Sequence, residues 1–263
     1  TRYISVTGVQ TCALPISPNP TNVVFTAESV VQLTDDGVAQ VIFYDEGVGT
    51  ERGERLTGGT MGDGLVKNLG DAYRFLIFNH SPGDEIYVFG FSRGAYTARS
   101  FVGLLNTCGL LRRRDAGKVT RLVSDYQTRR PDETPDSARW LTYRLEHCPH
   151  LCMTDDELAW RKRTAPADAA SASPRLRIRY LGVWDTVASL GIPLRYRVWD
   201  PKNERHAFHY VELTSFVESA RHALALDERR VDFSPEVWPN VEALNLQAGA
   251  SAEAADAPYK QRW

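Results

Sequence analysis

Apolar spacing along the chain predicts a series of strands alternating with helices. Ala39–Tyr44 (AQVIFY) is a short apolar run rich in β-branched and aromatic residues, which predicts a buried strand. From Leu65 to Phe78 the apolar residues Leu65, Leu69, Tyr73 and Leu76 recur at helical spacing. The turn Ser81-Pro82-Gly83-Asp84 then leads into a second strand, Glu85–Gly90 (EIYVFG). A second helix follows, with Ala95, Ala98, Val102 and Leu105 on one face and Gly109 as its stop. Leu176–Trp184 (LRIRYLGVW) predicts a third strand, ending at Asp185. The alanine-rich stretch Leu213–Arg229 predicts a last helix. Strands alternating with helices imply an α/β fold, a parallel sheet covered on both faces.

Two regions depart from that rhythm. Residues 112–175 are polar and arginine-rich and end in the Ala/Ser/Pro-rich run Ala165–Pro174, which predicts a helical insertion followed by a linker. Its arginines are expected on a solvated surface, and a role against anionic lipid head groups is the weaker alternative. At the N-terminus, Val6–Ile16 (VTGVQTCALPI) resembles a translated sequencing-adapter oligonucleotide. Residues 1–16 are therefore expected to lie outside the native fold, and Cys12 carries no meaning on that reading. The competing reading is a strand, because Arg2–Val6 alternates as a strand does. At the other end the chain stops abruptly at Gln261-Arg262-Trp263. Both ends suggest a piece of a larger open reading frame.

Composition narrows the function classes. The chain has 263 residues, 43% hydrophobic and 24% charged, an ordinary globular balance. A net charge of -2 argues against a nucleic-acid binder driven by bulk charge. No apolar run approaches the roughly 18 residues of a membrane span. Cys108 falls in an apolar helical pattern and reads as core. His147-Cys148-Pro149-His150-Leu151-Cys152 gathers four side chains that could ligate zinc, but no distant second cluster accompanies them, and Pro149 predicts a loop.

The candidate chemistry centres on Gly90-Phe91-Ser92-Arg93-Gly94. A strand leads in and a helix leads out. That is the context in which Gly-x-Ser-x-Gly forms a sharp turn presenting a nucleophilic hydroxyl above the sheet edge. The Arg93 N–H, at the helix start, can face a developing oxyanion. The bland alternative is a serine that caps the helix. A nucleophilic serine needs a base oriented by a carboxylate. Asp185 ends a later strand and would lie along the same sheet edge; its bland alternative is an N-cap for Thr186–Ser189. The only histidines after it are His206, His209 and His222. His222 falls in the predicted last helix, where a histidine is more often structural. The glycine-rich stretch Gly47–Gly64 could suggest a nucleotide site, but it lacks the Gly-Lys-Ser/Thr ending of a phosphate loop and reads as a loop near the active-site edge.

Several segments together resemble the α/β-hydrolase family that includes type VI secretion phospholipase effectors. They are Tyr44–Thr50 (YDEGVGT), Gly90–Arg99 (GFSRGAYTAR), Gly182–Val187 (GVWDTV) and Ala220–Arg230 (ARHALALDERR), within a match running from about Pro20 to Trp263. The resemblance implies a partial α/β-hydrolase catalytic domain over 17–263, its sheet incomplete at both ends. It implies Ser92 as nucleophile, Asp185 as orienting acid and Arg93 N–H as half of the oxyanion hole. The other half is expected from an Asp-Gly-Thr turn that family members carry near the start. The base is expected from a Gly-Val-His-x-Asp-Val-Gly-Gly loop that members carry beyond the equivalent of Trp263, with His222 as the fallback. It also implies phospholipid as substrate, a secretion apparatus and an immunity protein as partners, and no cofactor or metal. The competing classes are a non-catalytic hydrolase-like interaction module and an inactive fragment.

Overall fold

A computed structural model describes residues 2–9, 20–45, 58–130, 132–165, 174–187, 212–229, 235–251 and 254–262. Its strands are β1 (Tyr3–Val9), β2 (Gln40–Asp45), β3 (Glu85–Phe91), β4 (Ile178–Trp184), β5 (Ala220–Ala223) and β6 (Tyr259–Arg262). They form one six-stranded sheet in the order β2-β1-β3-β4-β5-β6, and every pairing between them is parallel. The fold is α/β, as expected. The chain winds outward from β1 to β2 on one side and to β3 on the other. The carboxyl ends of β1 and β3 therefore flank a topological switch point, the place where open α/β sheets bind ligands.

The main core lies between the sheet and helices α2 (Gly58–Asn79) and α3 (Arg93–Cys108). Along β3, Ile86, Val88 and Gly90 are buried while the alternating residues are half-buried, the period-2 signature of a strand with one tightly covered face. Gly90 is where α3 comes closest. A Cβ there would sit 2.5 Å from the Gly94 carbonyl oxygen and 2.6 Å from the Ala95 Cα, so only glycine admits the helix. Gly109 ends α3 at a φ of 73°, and its N–H donates to the Leu105 carbonyl. Helix α1 (Asn22–Ser29) packs on β1 and β3, with Val23 buried.

Several expectations need correcting. Residues 1–16 were expected outside the fold, yet Tyr3–Val9 forms β1, paired with β2 on one side and β3 on the other. The strand-like alternation of Arg2–Val6 is what the structure follows there; residues 10–19, with Cys12, lie outside the described residues. β2 is not a buried strand but the sheet edge, half-buried with Tyr44 exposed. α2 starts at Gly58, so the end of the glycine-rich stretch is helical. No helix spans 213–229: Ala220–Ala223 is β5, because pairing with β4 and β6 satisfies its backbone and overrides alanine's helical propensity.

Within 112–175 the described residues hold four short helical elements, and 166–173, inside the expected linker, lie outside the described residues. A 3₁₀ turn (Arg113–Lys118) precedes α4 (Val119–Gln127), α5 (Ala138–His147) and α6 (Asp155–Thr164). Its arginines are not all on the surface. Arg144 and Arg161 are fully buried around Glu157. Arg144 Nε donates to Glu157 at 3.1 Å and its Nη1 donates to the carbonyls of Thr107 and Pro135. Charge pairing with hydrogen bonds is what permits these groups to be buried, and Arg144 ties the insertion to the end of α3. Cys108, Cys148 and Cys152 are buried free thiols. Burial pushes Cys148 up to about 12, so it is protonated, and its Sγ donates to the Cys108 carbonyl. Among the described residues no cluster of histidine, cysteine and carboxylate side chains could hold a metal ion, and no helix is long and apolar enough to cross a membrane.

Candidate active site

Ser92 follows β3 and Asp185 follows β4, and the two strands pair Phe91 against Trp184. The residues after them are thus neighbours at one sheet edge. The Ser92 N–H donates to the Trp184 carbonyl at 2.8 Å, which joins the two turns directly. Both residues hold left-handed backbone, and they are the only non-glycine residues to do so among those described: Ser92 has φ 56° and ψ -122°, Asp185 has φ 44°. Such backbone costs about 1–3 kcal/mol and persists only where the surroundings over-determine it.

Ser92 occupies the N-cap position of α3, but its side chain makes no capping hydrogen bond. Its carbonyl accepts from the N–H groups of Ala95 and Tyr96, so the backbone starts the helix and the hydroxyl is not committed to it. Arg93 is the first residue of α3, which puts its N–H at the positive end of the helix dipole. Ser92 and Asp185 line one pocket together with Phe91, Val187, Ala225, Glu228 and Pro235. Asp185 does not cap a helix there. Neither Thr186 nor Val187 is helical: Val187 bridges Pro235, and the Thr186 carbonyl accepts from the Glu236 N–H at 2.8 Å. Burial pushes the Asp185 carboxyl above its ordinary value; a hydrogen bond from the Ala225 N–H draws it down, and the nearby Glu228 charge pushes it up.

His222 is not in the expected helix, and it is not among the described residues lining the Ser92 pocket. It sits on β5 and is 2% exposed. Its Nε2 accepts from the Thr186 N–H at 3.3 Å and its Nδ1 lies 3.1 Å from Gln261 Oε1. Burial and the Arg99 charge push it down to about 4, so it is neutral at ordinary pH. His206, His209 and the Gly47–Thr50 segment lie outside the described residues. Glu228 is the pocket residue to which the sequence assigned no chemistry. It was visible only as part of the Ala220–Arg230 segment, because nothing in its spacing announces that it lines the pocket beside Asp185.

Comparison with known proteins adds the family. No solved structure matches the chain. Over 169 residues, 64% of this chain, it is 30% identical to the Uncharacterized protein YEL023C of Saccharomyces cerevisiae. The matched part of the chain spans about a fifth of that protein's length, 21%. The family model "T6SS, Phospholipase effector Tle1-like, catalytic domain" matches residues 7–263. Nearly the whole chain is covered, the serine turn and the Asp185 turn included, and the chain therefore belongs to the family of Tle1-like catalytic domains of type VI secretion phospholipase effectors.

Proposed function

We propose that the protein is the catalytic part of a serine-dependent phospholipase, with Ser92 as nucleophile, Asp185 as the carboxylate that orients the base, and the Arg93 N–H as one oxyanion donor. One observation carries this reading. Ser92 and Asp185 stand side by side on adjacent strand ends, line one pocket, and share a positive φ that is otherwise absent among non-glycine residues of the described chain. The uncommitted hydroxyl adds support, since a capping serine would spend it on the helix.

In the proposed reaction the base takes the Ser92 proton as Oγ attacks the acyl carbonyl of a lipid ester. The negative oxygen is met by the Arg93 N–H, the alcohol leaves with the base's proton, and water releases the acyl group by the reverse sequence. Asp185 steadies the imidazolium. Its partly buried position strengthens that interaction while the pair is formed. The base is an imidazole supplied from outside the described residues, as the family's Gly-Val-His loop implies. β1 ends beside β3, with Val9 against Phe91, and the second oxyanion donor is the Asp-Gly-Thr turn that the family resemblance implies near the start of the domain. A secretion apparatus and an immunity protein are the partners this reading carries with it.

The test is fatty-acid release from phospholipid vesicles by the full-length protein and its Ser92→Ala variant. Loss of release in the variant supports the reading; a wild-type rate contradicts it and favours a non-catalytic role for the domain. Residues 1–263 assayed alone are expected to show little or no turnover. Robust turnover would place the base among their own histidines.

A further inference from the structure

We infer that His222 is a positioning residue: its neutral imidazole, held between Gln261 and the Thr186 N–H, fixes the turn that presents Asp185 to the pocket. The inference rests on Asp185 being the orienting acid.

The Asp185 turn has unfavourable backbone and no helix or glycine to sustain it. What sustains it comes from the end of β5. The Asp185 N–H donates to the Ala223 carbonyl at 2.9 Å. The Asp185 carboxylate accepts from the Ala225 N–H. The next peptide N–H, that of Thr186, donates to His222 Nε2. Three ties from the run His222-Ala223-Leu224-Ala225 thus reach two consecutive residues. Glu236 closes the fourth side through its N–H to the Thr186 carbonyl. A buried N–H without an acceptor is costly, so loss of the imidazole would leave Thr186 to pull the turn toward another partner.

Nε2 can accept only if the proton sits on Nδ1. Gln261 enforces that tautomer. Its Oε1 accepts from the Trp238 N–H at 2.8 Å, which fixes the amide with its oxygen toward Nδ1. The Trp238 ring meets the imidazole edge-on at 5.1 Å, and the Arg99 guanidinium lies 5.3 Å from the centre of that ring on α3's side. Arg99 also donates to the Glu236 carbonyl. The charged group acting on His222 is Arg99 on α3, which opposes a second proton on the ring, and Glu236 in turn acts on Arg99. A catalytic base must turn Nε2 to the serine; here both nitrogens are engaged away from it.

The test combines NMR on the wild-type protein with three variants. In the wild type, ¹⁵N shifts should report the Nδ1–H tautomer and a neutral ring from pH 5 to 8. In His222→Leu, Thr186 amide exchange should accelerate about tenfold or more. The Asp185 carboxyl titration should fall toward the ordinary carboxylate range, and kcat for a soluble ester should drop about 10- to 100-fold with KM unchanged. His222→Gln, which can offer Thr186 an amide oxygen, should recover most of each effect. An Nε2–H tautomer, or a wild-type ring titrating near its ordinary value, would overturn the inference. So would a folded His222→Leu protein with wild-type Thr186 exchange and Asp185 titration. If that variant does not fold, Gln261→Leu, near the edge of the sheet, must disturb the tautomer and Thr186 exchange, or the inference fails. If His222→Gln is dead while Thr186 exchange stays normal, the ring is moving protons and the inference is wrong. Full activity in Ser92→Ala would instead sink the serine reading and leave the NMR results standing.

Discussion

The two turns at the pocket present the same backbone problem and solve it differently. The nucleophile turn is held by its own neighbourhood. Gly90 lets α3 close down on β3, α3 starts on the Ser92 carbonyl, and one long-range bond from the Ser92 N–H to Trp184 completes it. The acid turn is held from a distance. His222, 36 residues from Thr186, accepts its N–H, and Glu236 reaches it from further along the chain. The nucleophile turn is a local motif, whereas the acid turn exists only once the sheet has assembled. Substitutions should therefore disable the first by clash at short range and the second by loss of remote partners.

Asp185→Asn should have the largest effect on rate. Asparagine tolerates left-handed backbone, so the turn survives, but the charge that orients the base is lost. We expect kcat to fall by about 10⁴-fold with thermal stability within about 1 kcal/mol of wild type. A fall in stability of the same order as the fall in activity would mean that the carboxylate mainly holds the turn.

Gly90→Ala attacks the local turn. The new Cβ meets backbone atoms, which cannot rotate away, so the cost should reach about 3 kcal/mol or more by chemical denaturation. The acid turn should be unaffected in any folded population, with Thr186 exchange unchanged relative to global opening.

The third prediction separates the turns by pH. His222 is held near 4 against an ordinary 6.5, so the unfolded chain binds the proton more readily than the fold. This contribution is fully present above pH 6.5 and is lost as pH falls from there through about 4, on the order of 3 kcal/mol in all. His80, also held near 4 by burial, titrates in the same window. The difference between wild type and His222→Gln isolates the part that belongs to the acid turn.

The smallest effect should come from Glu228→Gln. Removing the charge beside Asp185 lowers the Asp185 pKa, so the acid limb of the pH–rate profile moves to lower pH. The same sign holds for stability. A carboxyl raised in the fold loses stability as pH rises past its ordinary value, and Glu228→Gln should relieve part of that loss at neutral pH. A limb shifted upward would contradict the placement of Glu228.

The same contrast explains what could be read from sequence. β3, α3 and the serine turn are written in local spacing, and the structure has them where spacing puts them; α2 is also there, but begins at Gly58 rather than Leu65, within the glycine-rich stretch. β4 ends at Trp184, just before Asp185, for the same reason. β5 was illegible because Ala220–Ala223 favours a helix by composition and becomes a strand only between β4 and β6. The position of His222 was lost with it. β1 was obscured because Val6–Ile16 resembles non-protein sequence, although Tyr3–Val9 pairs on both sides. Arg144 and Arg161 look like surface residues until Glu157 is seen between them. For β5, β1 and Arg144 the deciding interaction lies outside any window of neighbouring residues; the Arg161–Glu157 pair is four residues apart, and its burial comes from what packs over it.

The central claim is that Ser92 is an activated nucleophile. The most direct measurement is labelling of the full-length protein with a fluorophosphonate probe, with the adduct mapped by peptide mass spectrometry. The account predicts a single stoichiometric adduct on Ser92, absent from Ser92→Ala and strongly slowed in Asp185→Asn. A protein active on phospholipid vesicles whose Ser92 stays unlabelled, or whose adduct falls on another serine, would contradict it.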